Sequence, residues 1–333
     1  MHVYNFMENT STPLITIVIL NYNGLEYLKE TIPPLLRLEY PNYEIIIVDN
    51  KSTDNSLSFL RSFKYIKIIE SNENVGYSRG KNIGVRNANG EYVLMIDNDI
   101  LIRDKTILAQ LINLYRIDEK IGFTQILLSD LGNDVTEHYG LFYSIYGVNL
   151  HQKKIDVSNI INYSDTLILI GSPTGGCMFF KKTFWDKIGG FDESQEFNID
   201  DVDIGPRAYL LGYHNVLYTK SFFIHLGVNN ALSNNIYASR FSLIFSGHAR
   251  SMIKNYKISN LLLRFPLFYM FHMIKAIRYS LKRKSLRVLY AFCYSNIVFL
   301  KSIPDTLKQR KIIQSSRIIN NDIYLAVKPP RFQ

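Results

Sequence analysis

The chain has 333 residues and a mass of 38.7 kDa, which is more than one minimal domain needs and less than three would use. Hydrophobic residues make up 47% and charged residues 20%, so a disordered or fibrous protein is excluded, while two distant cysteines, Cys177 and Cys293, exclude a disulfide scaffold and a cysteine-built zinc site and fit a reducing compartment. The net charge of +9 arises in residues 250–317, where 15 Lys and Arg residues accompany one acid, Asp305. The rest of the chain is acidic, so the overall basicity is no sign of nucleic-acid binding.

The first hundred residues repeat a strand–helix unit. Near-continuous apolar runs predict strands at residues 14–20, 44–49, 65–70 and 91–97. Helical patterns are predicted from residue 24 to an interruption at Pro33 and Pro34, after a cap at residue 52 or 53, and over 77–88. This alternation indicates an α/β fold whose mostly parallel sheet is covered on both faces. Ligands bind beyond the carboxyl ends of such strands, where Asn21, Asp49 and Asp97 stand.

The remaining elements are less regular. Residues 100–170 give mixed helix and strand signals without a clear order. Beyond them, we predict a short helix over 184–190, a helix over 201–211 that Gly212 ends, and a strand over 216–225. The chain is then helical and basic from about residue 230.

No segment has the character of a signal peptide or of a membrane-spanning helix. The first apolar run is only residues 14–20, which reads as a buried strand. The longest uncharged runs, 265–274 and 288–300, are shorter than the roughly 18–20 residues that a spanning helix needs. We therefore expect no spanning helix.

Asp97 and Asp99 flank Asn98 directly after the fourth predicted strand. Two carboxylates one residue apart can converge on Mg²⁺ or Mn²⁺, which prefer oxygen ligands. A plain turn is the alternative, because turns are rich in Asp and Asn. The position at the end of a parallel strand favours the metal site.

A second acidic group, Asp200, Asp201 and Asp203, opens the helix predicted over 201–211. Acids favour helix N-termini without any function, and Asp203 can pair with Arg207 four residues on, so Asp203 is interpreted as structural. We keep Asp201 as a candidate general base.

Two nucleotide-binding motifs are missing. Residues 76–81 (GYSRGK) resemble a phosphate-binding loop only superficially, because three residues separate the glycines where four are required. There is no GxGxxG motif either, so ATP hydrolysis and nicotinamide chemistry lack their signatures.

Several motifs in order resemble the inverting glycosyltransferases of family 2, which have the GT-A fold, and in particular the rhamnosyltransferase-like members. The matching blocks are residues 15–23, 48–54, 74–77 with Asn82, 97–99, 175–176, 188–193 and 200–203 with Arg207, Gly212 and His225. The match spans about residues 13–250, and its ordered blocks are more specific than any one of them.

The resemblance implies a role for each matching residue. The residues implied to border or line the nucleotide site are Asn21, Tyr22, Asn23, Asp49, Asn74, Asn82 and Asp97. Asp99 would ligate a divalent ion, Mn²⁺ or Mg²⁺, with His225 as a further contact, although a lone histidine at a strand end is more often structural. Asp201 would be the general base. Asp200 stands where the family usually has Glu, which leaves open which of the two acids is the base.

Two further positions depart from the family pattern. Asn50 follows Asp49 where an acid is often seen, and Arg79 occupies a helix position that is often small. Inversion at the sugar is implied by the resemblance alone. It agrees with chemistry in which one carboxylate takes the acceptor proton and no second one acts as nucleophile.

We therefore predict a metal-dependent hexosyl- or rhamnosyltransferase that uses a UDP-, dTDP- or GDP-sugar and a hydroxyl acceptor, such as a lipid-linked or cell-surface glycan precursor. One alternative is a sugar-phosphate nucleotidyltransferase, which would need a Gly-rich, Arg-containing loop after the first strand in place of residues 21–24. The other is an inactive scaffold at a membrane surface, which would bind no nucleotide.

The predicted organisation is an extension over 1–12, a GT-A domain over 13–245 and a helical basic region over 246–333. Basic residues alternate with aromatic apolar runs in this last region, which favours helices lying on an anionic membrane, at the cytoplasmic face. The alternatives are that these helices pack on the catalytic domain and, less favoured, that they bind nucleic acid. We expect no nucleic-acid partner.

Overall fold

The computed structural model shows a central sheet that the helices of the chain cover. It describes residues 12–130, 135–136, 139–144, 155–156, 160, 167–194, 200–227 and 234–328, with the backbone alone at 135–136, 155–156 and 234–242.

The elements follow in chain order. The strands are β1 (Ile15–Asn21), β2 (Tyr43–Asp49), β3 (Ile66–Glu70), β4 (Tyr92–Asp97), β5 (Ile100–Leu101), β6 (Ile121–Asp130), β7 (Val135–Thr136), β8 (Ile155–Asp156), β9 (Leu167–Ile170), β10 (Cys177–Lys181) and β11 (His214–His225). The helices are α1 (Leu25–Leu35), α2 (Ser56–Leu60), α3 (Tyr77–Arg86), α4 (Ile107–Ile117), α5 (Lys182–Ile188), α6 (Asp200–Leu210), α7 (Asn234–Asn255), α8 (Ile258–Lys282), α9 (Arg287–Ser315) and a final 3₁₀ turn (Ile323–Ala326).

The sheet has two halves of different character. β3, β2, β1 and β4 lie side by side in parallel, as the alternating pattern predicts. β10 then runs antiparallel between β4 and β6, and β11 continues the sheet parallel to β6 with β5 and β9 antiparallel beside it. The predicted α/β fold is confirmed, and the second half of its sheet is mixed.

Helices cover both faces of the parallel half. Ile17 of β1 packs in one core layer with Leu28 of α1 and Leu111 of α4. Its neighbour Val18 points to the opposite face, into a layer with Val85 of α3. Successive side chains of a strand alternate between faces, so a continuous apolar run is what a sheet covered on both sides requires.

Two local predictions in this half are wrong. Pro33 and Pro34 do not interrupt α1, because they lie in the last turn before the helix ends at Leu35. The second helix begins at Ser56 and not after a cap at residue 52 or 53. The Ser52 hydroxyl instead donates to the Asp49 carboxylate at 2.6 Å, which makes it part of the loop after β2.

The C-terminal helices form a second core against α6. Phe245 of α7 lies between Phe268 of α8 and Phe292 of α9, with ring centroids 5.5 and 5.0 Å away, and Val202 of α6 joins the same cluster. The predicted border at residues 245/246 falls inside the continuous helix α7. Within the described residues, no helix combines the length and apolarity needed to cross a bilayer.

Candidate active site

The carboxyl ends of β1, β2 and β4 meet at one edge of the sheet, which we call the strand-end site. The parallel register places Asn21 beside Asp49, and the Asn21 amide donates to the Asp49 carboxylate at 2.9 Å. The amide of Asn98, after β4, donates to Asn21 Oδ1 at 2.9 Å. Both Asn21 and Asp49 are buried. The structure therefore brings together two of the predicted residues and adds Asn98.

The Asp49 carboxylate organises the loop that follows β2. One of its oxygens accepts from the Asn21 amide and the Ser52 hydroxyl, and the other accepts from the Ser52 backbone N–H at 2.9 Å. Asn23, in the left-handed region at φ 51°, accepts from the Thr53 N–H at 2.7 Å and so ties the end of β1 to the same loop. The ring of Tyr22 stays half exposed beside them.

Asn74 and Asn82 lie in different surroundings. Asn74 lies in the loop before α3, where its Oδ1 atom accepts from the Asn50 amide at 2.8 Å. Asn50 also accepts from the Val75 N–H at 2.9 Å, so these contacts connect that loop to the end of β2. The Asn82 side chain is buried, and both its ends bond the backbone of Phe191, at 2.9 and 3.0 Å. Asn82 thus fastens α3 to the segment after α5. These contacts give no support to its predicted place in the nucleotide site.

Asp97 is paired with a buried cation that sequence reasoning missed. Its Oδ1 lies 2.9 Å from Lys81 Nζ and 2.9 Å from the Tyr77 hydroxyl, and the Lys81 side chain is fully buried. Burial first, and then the Asp97 charge, hold the pKa of Tyr77 well above its usual value. Tyr77 and Lys81 are four residues apart on α3 and therefore lie on the same face of the helix. This spacing is the sequence signal from which their common contact could have been predicted.

Asp99 and His225 meet although 126 positions separate them in the sequence. The Asp99 Oδ2 atom lies 3.2 Å from His225 Nε2, because β11 pairs with β5 in a register that sets His225 beside Ile100. Burial alone would lower the pKa of His225, but the nearby carboxylates, Asp99 first and then Asp97 and Asp130, together outweigh it and the pKa is raised. The two residues implied as metal contacts are thus neighbours.

The other oxygen of Asp99 is a buried acceptor with no hydrogen bond from any residue that the structure describes. Buried polar atoms are almost always satisfied, so an atom of this kind points to a missing partner. A hard divalent cation is such a partner for a carboxylate oxygen. Across the described chain no cluster of three His, Cys, Asp or Glu side chains forms, so the remaining ligands of an ion would have to come from elsewhere. Asp99 and His225 fit a divalent ion on these grounds.

Asp201 lies in the first turn of α6. Its carboxylate accepts from its neighbour's backbone, the Val202 N–H, at 2.8 Å, and from the Gly175 N–H at 3.4 Å. Burial, and after it the charge of the adjacent Asp200, raise the pKa of Asp201 to about 8. A carboxylate with a pKa near neutrality suits a group that takes up a proton during a reaction.

The glycine pair 175–176 joins the two acidic regions. The Gly176 carbonyl accepts from the Asp97 N–H at 3.0 Å, and the Gly175 N–H donates to Asp201. A Cβ atom on Gly175 would lie 3.1 Å from Asp200 Oδ2, and one on Gly176 would lie 3.2 Å from Asp97 Oδ2. Side chains at these two positions would therefore crowd both carboxylates. The pair lets Asp97 and Asp201 approach the same short segment.

Asp203 is structural, as predicted. Its carboxylate lies 3.0 Å from Arg207 on the next turn of α6 and 2.8 Å from Lys254 of α7. Asp203 is thus paired with these two cations, whereas Gly175 contacts Asp201.

Comparison with known sequences agrees with this arrangement. The model of the family described as glycosyl transferase family 2 matches residues 16–188, just over half of the chain. An uncharacterized glycosyltransferase of Rickettsia typhi is 26% identical over 253 residues, which cover 74% of this chain and 75% of that protein. The glycosyltransferase GlyG of Streptococcus pneumoniae is 34% identical over 98 residues, 28% of this chain and 33% of its own.

Solved structures share the fold at low identity. Residues 1–349 of TarS from S. aureus superpose with a TM-score of 0.58 at 15% identity, covering 94% of this chain and 90% of that one. The mannosyltransferase PcManGT of Pyrobaculum calidifontis gives a TM-score of 0.56 at 17% identity, covering 92% and 86%. The fold is that of the GT-A glycosyltransferases. Because the family model covers more than half of the chain, including the strand-end site, this chain belongs to glycosyl transferase family 2 and is a glycosyltransferase.

Proposed function

We propose that this enzyme transfers a sugar from a nucleoside-diphosphate sugar to a hydroxyl acceptor by a single displacement that inverts the anomeric carbon. The observation that carries the proposal is the link through Gly175 and Gly176. This link holds Asp201, with its raised pKa, beside the strand-end site.

The donor is inferred from the family and from the neighbouring structures. One TarS structure is described as a complex with UDP-GlcNAc, and the PcManGT structure as a complex with GDP-Man and Mn²⁺. In this chain, Asn21, Tyr22, Asn23, Asp49 and Asn74 would border the nucleotide, with the exposed Tyr22 ring available to the base. The nucleotide of the donor would be UDP, dTDP or GDP, and the titration described below distinguishes these three.

A divalent ion, Mn²⁺ or Mg²⁺, would be held by Asp99 with His225. When bound, such an ion offsets the negative charge that builds on a departing diphosphate. Lys81 has a separate task, because its buried ammonium neutralises Asp97. This ion pair would orient the Asp97 carboxylate next to the donor.

Asp201 would act as the general base. The acceptor hydroxyl attacks the anomeric carbon from the face opposite the diphosphate, the bond from that carbon to the diphosphate oxygen breaks, and the hydroxyl proton moves to Asp201. The charge of Asp200 raises the proton affinity of Asp201, which favours this transfer. The acceptor would be the hydroxyl of a glycan or a lipid-linked precursor.

Calorimetric titration of UDP, GDP and dTDP, each with and without Mn²⁺, tests the proposal. We expect one nucleotide to bind in a metal-dependent way, and Asp99→Ala to weaken that binding by at least about tenfold, while the exposed Glu39→Ala leaves it unchanged. Asp201→Asn should bind the donor normally and lose at least about a hundredfold in transfer rate. A folded protein that binds none of the three nucleotides would contradict the proposal and favour the scaffold.

A further inference from the structure

The outer face of α8 carries a stripe of exposed apolar side chains. They are spaced by seven, four, three and four residues, which is one side of a helix: Leu263, Met270, Ile274, Ile277 and Leu281. The opposite side of α8 is buried against the other C-terminal helices: Phe268, His272, Ala276 and Ser280. One face of α8 therefore packs in the protein core, and the opposite face exposes apolar side chains.

The first turns of α9 repeat this arrangement. Leu286, Tyr290, Tyr294 and Ile297 follow one another at four- and three-residue spacing and are exposed, whereas Val288, Phe292 and Ser295 on the other side are buried. The exposure is greatest at the turn between the helices, with 72% for Leu281, 74% for Leu286 and 72% for Tyr290. We call these nine side chains, five on α8 and four that run from Leu286 into α9, the hairpin surface.

The charges around the hairpin surface have one sign. Residues 258–304 contain no Asp or Glu. Lys275, Arg278 and Lys282 recur at three- and four-residue spacing along α8. By their angular positions on an ideal helix they form a row on one flank of the apolar stripe. Lys284 and Arg287 stand at the turn itself, both exposed. An apolar stripe bordered by basic side chains is the pattern of a helix that lies in a bilayer interface.

We propose that the hairpin surface docks on an anionic lipid bilayer, with α8 and α9 lying along the interface and not across it. The exposed leucine and isoleucine side chains and the two tyrosines would enter the boundary between headgroups and acyl chains, where tyrosine rings are favoured. The basic row would meet the anionic headgroups, an attraction that depends on ionic strength. The partner that we propose for the hairpin surface is therefore lipid.

A second copy of the chain fits the hairpin surface less well. In a two-fold symmetric dimer the same patch faces itself, so the basic row of one copy would lie against the basic residues of the other. Residues 258–304 offer no carboxylate to compensate, since the first acid beyond them is Asp305. A lipid surface supplies the negative charge that a second copy lacks.

This docking goes beyond the proposed transfer reaction and does not depend on it. It would place α6 near a membrane, because the buried sides of α8 and α9 belong to the cluster that contains Val202 of α6. A lipid-linked acceptor would then meet the enzyme at the surface where it is anchored.

Co-sedimentation of the full chain with vesicles tests the inference, without donor or metal. We expect binding to vesicles of phosphatidylcholine with about 30% phosphatidylglycerol, weaker binding to pure phosphatidylcholine, and loss of binding as salt rises from about 0.1 to 0.5 M. The triple variant Leu281→Ser, Leu286→Ser, Tyr290→Ser should lower the partition coefficient at least about tenfold. The variant Arg278→Gln, Lys282→Gln, Lys284→Gln should reduce binding to the anionic vesicles only.

Matched controls come from the catalytic domain. Tyr65→Ser with Ile117→Ser and Leu169→Ser removes three side chains that are also exposed, and Arg37→Gln with Lys64→Gln and Arg103→Gln removes three exposed cations. Both controls should sediment as the wild type does. The inference is overturned if the wild type ignores anionic vesicles, if the hairpin and control variants bind alike, or if the hairpin surface instead mediates a dimer seen in sedimentation velocity. Nucleotide titration of the same samples shows separately whether the proposed function holds.

Discussion

Asp200, which is buried, and Asp201, which is half-buried, are adjacent carboxylates. The repulsion between their charges can be measured. Because burial and the Asp200 charge raise the pKa of Asp201 to about 8, we expect the proposed base to be largely protonated at neutral pH. The proposed reaction needs the deprotonated form, so kcat/KM should increase with pH across this range.

The pH dependence of kcat/KM separates the two acids. With Asp201 as the base, the ascending limb has its midpoint at about 8 in the wild type. Asp200→Asn removes the neighbouring negative charge, lowers the pKa of Asp201 and moves the limb to lower pH. The exposed Asp186→Asn should leave the midpoint in place. An Asp200→Asn enzyme with no activity at any pH would instead identify Asp200 as the base.

Tyr77→Phe tests the link between Asp97 and the glycine pair. The Tyr77 hydroxyl lies 2.9 Å from Asp97 and 2.6 Å from the Gly175 carbonyl, so its loss leaves both oxygens without this donor. We expect an unfolding free energy lower by about 1–3 kcal/mol and a kcat/KM lower by about tenfold. Tyr115→Phe, which removes a buried hydroxyl that bonds the Phe179 carbonyl at 2.8 Å, should cost similar stability and no activity. Equal kcat/KM in both variants would contradict the proposed link.

Among the helices, α7 fixes the position of α6 through a buried ion pair. Lys254 is fully buried, with its ammonium 2.7 Å from Asp192 and 2.8 Å from Asp203. Burial alone would raise the pKa of Asp192, but Lys254, with Ser194 and Arg250, outweighs it and the pKa is held far below its usual range. Because Asp203 and Asp201 share the first turn of α6, this buried ion group sets where the proposed base stands.

Lys254→Met should therefore lower both stability and turnover. It removes the buried cation that Asp192 and Asp203 share and leaves each with one cation partner, Arg250 and Arg207. We expect a loss of about 3 kcal/mol in unfolding free energy, measured by denaturant titration. The first turn of α6 would shift, and kcat should fall even in protein that circular dichroism shows to be folded. Arg317→Met, which breaks the buried pair with Asp322 at 2.7 Å, is the control that lowers stability alone. A normal kcat in Lys254→Met would rule out the positioning role.

At the scale of the whole molecule, the C-terminal helices are part of the folded core. A chain ending at residue 255 loses Phe268, Phe292 and Tyr324, which pack with Phe245 and Tyr209 in one cluster. Each lost aromatic contact costs about 3–5 kcal/mol, and total stability is about 5–15 kcal/mol. We expect this shortened chain to show no cooperative thermal transition by circular dichroism. A transition at the temperature of the full chain would instead support an independent catalytic domain.

Short-range patterns accounted for much of the architecture. A short, continuous run rich in β-branched residues, such as residues 15–21, favours a strand covered on both faces, so the four parallel strands and the helices between them were predictable. Asn21 and Asp49 could be placed at one edge because parallel strands end together. In the second half of the sheet β10 runs antiparallel between two strands from earlier in the chain, and such pairing leaves no local signature.

The candidate site also combines features that local sequence predicts with contacts that depend on the fold. Local sequence patterns were sufficient to predict the parallel half-sheet, the acids that end its strands and the helical, basic character of the C-terminal region, because each depends on side chains a few residues apart. The pairing of Lys81 with Asp97, the direct contact of Asp99 with His225, and the ion pair of Lys254 on α7 with Asp203 on α6 became apparent only from the fold. Those contacts join residues far apart in sequence or on different elements, and their geometry depends on how buried surfaces pack and on which charges lose access to water.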